Sequence, residues 1–256
     1  MSTGVIGCSE TSPLSLDTAR ASVEHAELIR RKTFLRKIYL DNYRFFERIL
    51  RSVPQGVHLE LGSGGGFIKE VVADVITSDV IPLPTADVAL SGINLPFADQ
   101  SLSSILMVNV FHHIQDVGRF LSEASRCLVS GGVVAMIEPA NTIFSNFVYK
   151  NFHHEPFNPR QEQWALPPGG RMSMANDALP WIVFCRDRAI FHKNYPCLKV
   201  ELSRNYMPFR YILSGGVSKP QLVPALTYPL ISGLEWMLAP LHPLIGMFMQ
   251  IVIRRS

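Results

Sequence analysis

Apolar positions change period along the chain, and the changes mark out its elements. Between Asp17 and about Ser52 they recur at Ile29, Phe34, Ile38, Tyr39 and Phe46, a helical spacing that predicts two helices over 17–52 with Asp17 as N-cap. From Val57 to about Ile143 short apolar runs alternate with helical stretches. Asp116 to Leu128 is one of these, with Phe120, Leu121, Ala124 and Leu128 on a single face. Strands separated by helical crossovers pair in parallel, so this region predicts a parallel sheet of α/β type. Residues 1–15 are polar and rich in Ser and Thr, and disorder is expected there.

A chain of 256 residues holds one large α/β domain, or such a domain with a cap, spanning 16–256 here. Hydrophobic residues make up 47% and charged ones 18%, and mean hydropathy is +0.16, so apolar surface is expected to remain outside the core. A net charge of +3 gives no reason to expect nucleic acid as a partner. The basic residues Arg30, Arg31, Lys32, Arg36 and Lys37 are interleaved with Phe34, Tyr39, Tyr43, Phe45 and Phe46, which reads as the solvated face of an amphipathic helix. Cys8, Cys127, Cys185 and Cys197 are scattered and form no C-x-x-C pair, which argues against structural zinc and a disulfide framework. No apolar run of signal-peptide length opens the chain, so a cytoplasmic location is the expectation.

The segment that bears chemistry is L-E-L-G-S-G-G-G-F-I-K-E, Leu59 to Glu70, where an apolar run gives way to a helical pattern. Gly62, Gly64 and Gly66 alternate behind Glu60. Such glycines allow a sharp turn and close backbone approach to a nucleotide-like cofactor, because positive φ costs them little and no Cβ intervenes. A phosphate-binding loop would need Lys-Ser/Thr after the last glycine, where Phe67-Ile68 stands. A dinucleotide fingerprint starting at Gly62 fails at Phe67, and one starting at Gly64 fails at Lys69, which weakens a dehydrogenase reading. Asp79 closes the run Val75-Ile76-Thr77-Ser78, near where a doubly wound fold puts the carboxylate that accepts ribose hydroxyls.

What remains, acidic-x-G-x-G-x-G, resembles motif I of the class I S-adenosylmethionine-dependent methyltransferases. Three further segments resemble the type 11 methyltransferase family in their order and spacing. They are L-P-F-A-D-Q-S-L (Leu95 to Leu102), the strand Ile105 to Ile114 with its N-x-x-H-H tail, and Cys127 to Pro139, similar to an L-x-P-G-G crossover ending in E-P. The resemblance implies a doubly wound, mostly parallel seven-stranded Rossmann-like sheet with N-terminal helices over the cofactor mouth and a helical cap. Residues 57–143 would be the cofactor-binding core, 144–190 and 207–246 substrate or cap insertions, and 198–206 and 247–254 a closing antiparallel hairpin. The closing M-F-M-Q-I-V-I-R-R has the composition of a buried strand.

The same resemblance implies S-adenosylmethionine as methyl donor and S-adenosylhomocysteine as product. Glu60 would meet the cofactor's amino end, Ser63 and Gly64 its methionine part within the loop shaped by Gly62 and Gly66, Asp79 the ribose, and Asn109 the methionine carboxyl region. Where the family often has an acidic residue facing the adenine amine, Ser91 stands, followed by Gly92 and Ile93, and a hydroxyl accepts more weakly than a carboxylate. Tyr39, Tyr43 and Arg44 would face substrate or pack in the core.

Methyl transfer from a sulfonium is an in-line displacement that asks the protein for alignment, water exclusion and a deprotonated nucleophile. His113, at the end of the fourth strand, is preferred to His112 as general base. His153, His154 and Glu155, in H-H-E-P, lie outside the cofactor core, where substrate-directed groups belong. Without a further ligand at a defined spacing, two histidines and one glutamate do not define a metal site, and none is assigned. Leu226 to Leu244, with Trp236 and Met237, is interrupted by Pro229, Glu235, Pro240, His242 and Pro243 and does not read as a membrane span. It reads as a helical cap, or as a lid that meets a lipid-like substrate or, through 226–246, a membrane surface. The expected function is S-adenosylmethionine-dependent methyl transfer to a small or lipid-linked acceptor, at oxygen. The alternatives are a nicotinamide-dependent reductase and a degenerate fold that acts as a binding module.

Overall fold

In the computed structural model, which describes residues 19–153, 155–167, 169 and 174–256, five strands pair in parallel: β1 (Val57–Leu61), β2 (Val75–Asp79), β3 (Val88–Ala89), β4 (Leu102–Val108) and β5 (Leu128–Pro139). β6 (Leu198–Tyr206) and β7 (Phe248–Arg255) complete a sheet of order β3-β2-β1-β4-β5-β7-β6, with β7 antiparallel to both neighbours. β4, β5 and β7 are almost wholly buried, as strands covered on both faces must be, which is why they read as continuous apolar runs. The closing strand is displaced by one residue from its expected bounds of 247–254. The expected disorder over 1–15, the N-cap at Asp17 and the catalytic candidate His154 lie outside the described residues.

The glycine loop departs from the expected pattern. Instead of a crossover helix, a single 3-10 turn, Ile68–Glu70, leads into β2. The N-terminal helices α1 (Ala19–Arg31) and α2 (Thr33–Leu50) take its place against the sheet. Phe34, Leu35, Ile38 and Phe46 of α2 are buried in one cluster with Ile68, Val72 and Val75, and with Val133 and Ala135 of β5. Each such side chain contributes roughly 1.5–3 kcal/mol by leaving water. The basic residues on these helices are not merely solvated, as the sequence suggested. Lys32, between α1 and α2, donates to the carbonyls of Gly216 and Lys219, Arg36 pairs with Glu70 and covers the Phe67 ring, and Lys37 lies over the Tyr228 ring.

α3 (Val117–Cys127) is capped by Asp116, whose carboxylate accepts the Arg119 amide at 2.9 Å, and it buries Phe120, Leu121 and Ala124. α4 (Ile143–Phe152) starts from a capping box of Thr142 and Ser145. α5 (Leu179–Trp181) runs on through a π-helical turn to Arg186, and α6 (Arg188–Asn194) follows. Leu179, Val183, Phe184 and Phe191 are fully buried against Phe111 and Phe120. The expected insertion 144–190 therefore divides: from Leu179 onward it covers the sheet, whereas residues between Tyr149 and Asp177 line the cavity. Between β6 and β7 come α7 (Arg210–Ser214), α8 (Tyr228–Met237) and α9 (His242–Ile245). Glu235, a polar break in an apolar stretch when read as sequence, is buried and accepts the amides of Phe209 and Arg210 at 2.8 Å each while pairing with the Arg210 guanidinium. Among the described residues no helix is long and apolar enough to cross a membrane.

Candidate active site

Strand order reverses between β1 and β4, and at the carboxyl ends of the strands there a cavity of about 980 Å3 opens. The glycine loop forms one wall. Gly62 and Gly64 hold φ of 65° and 49°, and a Cβ on Gly62 would come within 2.5 Å of the Val110 side chain. Gly62→Ala is expected to cost about 1–2 kcal/mol from the left-handed backbone alone. A melting experiment should show this as a fall in Tm of several degrees, about 2–4 °C per kcal/mol in a protein of this size. An unchanged Tm would mean that the loop relaxes without cost.

Glu60 ends β1 buried, its carboxylate accepting the Ser63 hydroxyl. Ser63 also ties the loop to β2: its amide donates to Ser78 O at 2.8 Å, and its hydroxyl accepts the Ser78 amide at 3.2 Å. Burial, together with the charge of Asp79, pushes Glu60 up to about 7 against the pull of the Ser63 hydrogen bond. Asp79 is also buried. One of its oxygens accepts the Gly64 amide at 3.1 Å and the other the Ile81 amide at 3.4 Å.

The opposite wall is built from Leu90, Ser91, Gly92 and Ile93, where Ser91 bridges to Asn94 across a tight turn. Asn109 follows β4 with φ of 55°. Its amide donates to Ile137 O at 2.9 Å, while its buried Oδ1 has no hydrogen-bond partner among the described residues. Two buried carboxylates, that orphaned amide oxygen and a backbone kept clear of Cβ atoms make a donor and acceptor set that fits a nucleoside joined to an amino acid. Every residue the sequence reading assigned to the cofactor, Glu60, Gly62, Ser63, Gly64, Gly66, Asp79, Ser91, Gly92, Ile93 and Asn109, lines this one cavity. Tyr39 and Tyr43 line it too, whereas Arg44 is exposed and paired with Asp41.

Past Asn109 the cavity reaches a cluster of ionisable side chains. His112 and His113 form the last part of a 3-10 turn, Phe111–His113, after β4. His112 is buried, with Nδ1 2.6 Å from Glu138 Oε2, and the other Glu138 oxygen accepts the Val110 and Phe111 amides at 2.8 Å. Its Nε2 lies 3.3 Å from Glu155 and 3.5 Å from Asp177. His113 places Nδ1 3.3 Å from Met174 O and Nε2 3.9 Å from Glu155. His153 Nδ1 stands 3.3 Å from Asp177. Burial opposes a charge on His112, but Glu138, Glu155 and Asp177 raise it well above the usual histidine range. Burial likewise works against ionised Glu155, yet His112 and His113 hold it well below the usual carboxylate range. Asp177 is raised, chiefly by burial.

The structure thus brings together His112, His113, His153 and Glu155 from the sequence reading and adds two residues. Glu138 is visible in the sequence only as the first letter of E-P, and Asp177 carries no motif at all. Asp177 pairs with His153, and the charge of Glu155 also bears on that imidazole. Two sets of side chains, His112, His113, Glu155 and His153, Glu155, Asp177, each bring ligand atoms within 4.8 Å of one another, and Asp177 is the added ligand in the second.

A family profile described as a methyltransferase domain matches residues 59–136. No curated protein matches the chain significantly. Among solved structures, the chain is similar to a protein described as a methyltransferase in complex with the Haloferax volcanii Trm112 methyltransferase activator, at 13% identity over 96% of this chain and 100% of that one, with a TM-score of 0.51. It is also similar to geranyl diphosphate C-methyltransferase from Streptomyces coelicolor A3(2), solved with Mg2+, geranyl diphosphate and S-adenosylhomocysteine, at 13% identity over 93% and 87% of the two chains, with a TM-score of 0.52. Likeness at that identity concerns the fold, and the profile carries the activity. Residues 59–136 are thus a methyltransferase domain, and the protein is an enzyme that uses S-adenosylmethionine as methyl donor. The matched stretch, residues 59–136, runs from β1 into β5 and includes the glycine loop.

Proposed function

We propose that the protein methylates a hydroxyl on a small or lipid-linked acceptor, with His113 as general base. The observation that carries this reading is the cluster of His113, Glu155 and their neighbours, which opens into the same cavity as the glycine loop. Bound in that loop, S-adenosylmethionine supplies an electrophilic methyl group. Glu60 serves the amino end, Asp79 the ribose, the amides of Ser63 and Gly64 the methionine part, and Ser91 to Ile93 the adenine. His113 takes the acceptor proton as the oxygen attacks, and Glu155 beside it stabilises the imidazolium that forms. Tyr149, Phe152, Tyr211, Val217 and Phe248 give the acceptor end of the cavity apolar walls, which supports an acceptor with a hydrocarbon part. Cys127, Cys185 and Cys197 are free thiols, in keeping with a cytoplasmic enzyme. Screening amphipathic hydroxyl compounds for methyl uptake from labelled donor tests the reading. Incorporation into amines alone would overturn it.

Glu60 gives a pH signature. Its raised value means the free protein holds that proton up to about pH 7, which favours the folded state at lower pH and fades as pH rises. An ammonium partner needs the carboxylate ionised, so affinity for S-adenosylhomocysteine should drop below pH 7, by up to about tenfold per unit. Calorimetry between pH 5.5 and 7.5 should show that slope, and Glu60→Gln should flatten it at weaker affinity.

A second reading is favoured by the ligand geometry. His112 and His113 each have Nδ1 near an acceptor oxygen and Nε2 directed at Glu155, the arrangement in which outer partners hold metal-binding histidines. A divalent cation there would lower the acceptor's pKa and replace the base. Activity that survives exhaustive chelation supports His113 as base. Loss restored by one added metal supports the cation.

A further inference from the structure

Fifteen large apolar side chains are exposed among the described residues, and eleven of them lie on α4 or between Leu222 and Leu244. Leu226, Leu230, Leu234, Met237, Leu241 and Leu244 recur every three or four residues through α8 and α9, while Tyr228 and Glu235 on the other side of α8 are buried. Leu226 is 89% exposed and Trp236 77%. On α4, Ile143 and Phe147 are one turn apart and also face outward, and they share a groove with Lys150 and Pro243 at the start of α9. Asn141, Thr142, Asn146 and Asn151 also line that groove, so the two apolar faces lie side by side across a polar seam.

Two observations say what covers them. The first is charge. From Asn141 to His153 and from Met207 to Ile245 the only carboxylate is Glu235, which is buried, whereas Lys150 and Lys219 are exposed. A second copy of the chain would bring like charges together, and an anionic headgroup layer would not. The second is continuity with the site. The Phe147 ring packs 5.9 Å from the Phe152 ring, Lys219 Nζ lies 5.9 Å over Phe152, and Phe152, Val217 and Lys219 line the active-site cavity. An apolar helical face with tryptophan, flanked by lysines, is the composition of an element that lies in a bilayer interface.

We propose that α4 and the segment 222–244 dock the enzyme on an anionic bilayer, so that a lipid-borne acceptor passes from the bilayer over Phe152 into the cavity. This rests on the reading of a lipid-linked acceptor and gives it an entrance. The test uses the full chain in flotation with vesicles of phosphatidylcholine alone or mixed with phosphatidylglycerol, in parallel with calorimetry of S-adenosylhomocysteine. Wild type should float with the mixed vesicles, and the variant Leu226→Ser, Leu230→Ser, Met237→Ser should lose about tenfold or more of that partitioning while binding S-adenosylhomocysteine as before. Wild type that stays unbound, or a variant that floats equally well, overturns the proposal. So does concentration-dependent self-association that the variant abolishes, which would assign the face to a second copy. Failure of S-adenosylhomocysteine binding in the wild type would count against the cofactor assignment and leave the flotation result standing.

Discussion

If Asp79 takes the ribose as proposed, Asp79→Ala should weaken S-adenosylmethionine and S-adenosylhomocysteine by about 2–4 kcal/mol, roughly 30-fold to 1000-fold, because it would remove charge-assisted acceptors for two hydroxyls at once. Its place in the fold sets both the size and the complication of the effect. Asp79 ends β2 buried beside the loop, and its oxygens accept the amides of Gly64 and Ile81. Alanine therefore also leaves two amides without their acceptor, and part of the loss comes from a looser loop. Asp79→Asn keeps one acceptor oxygen and should fall between wild type and alanine. Ser91→Ala provides the contrast: a neutral hydroxyl contributes only about 0.5–1.5 kcal/mol. Calorimetry on the three variants, with melting curves to show that each is folded, decides the assignment. If Asp79→Ala binds within about twofold of wild type, the ribose lies elsewhere.

The cofactor half was legible because its signals are local. A glycine run after a strand, an aspartate at the end of the next strand and the alternation of strand and crossover are each contained in a few neighbouring residues. What covers the sheet beside the loop was not legible. Phe67 to Glu70 has helical spacing, but only residues 67–74 separate the loop from β2, and the turn closes after Glu70. Nothing in the periodicity of α2 says that it, rather than a crossover helix, packs on Val75 and Ala135. The acid and histidine cluster was legible in part for the same reason. His112, His113, His153 and Glu155 stand out in pairs, while Glu138 and Asp177 join them only after β5 and the turn before α5 have folded. Glu235 shows the converse: its buried pairing with Arg210 makes a polar break in an apolar stretch into the anchor of the helices around it.

The two adjacent histidines should separate cleanly in experiment, although the sequence presents them as a pair. His113 is partly exposed to the cavity, and its substitution leaves no carboxylate stranded in the core. His113→Ala should lower kcat by about 10²–10⁴-fold, the usual worth of a positioned base, with affinity for S-adenosylmethionine and Tm close to wild type. His112 is buried among Glu138, Glu155 and Asp177. His112→Ala leaves buried carboxylates unpaired, a loss of about 3–5 kcal/mol that should appear first as a lower Tm and only then as lower activity. Glu155→Gln distinguishes the readings further. If Glu155 only stabilises the imidazolium of His113, the amide should lower kcat and leave KM for the donor unchanged. If it ligates a cation, the same change should raise the metal concentration needed for half-maximal rate. Kinetics of the three variants with the acceptor found by screening, run beside melting curves, would show it. A His113→Ala enzyme with wild-type kcat would remove His113 from the chemistry and leave the cluster as a binding surface for the acceptor.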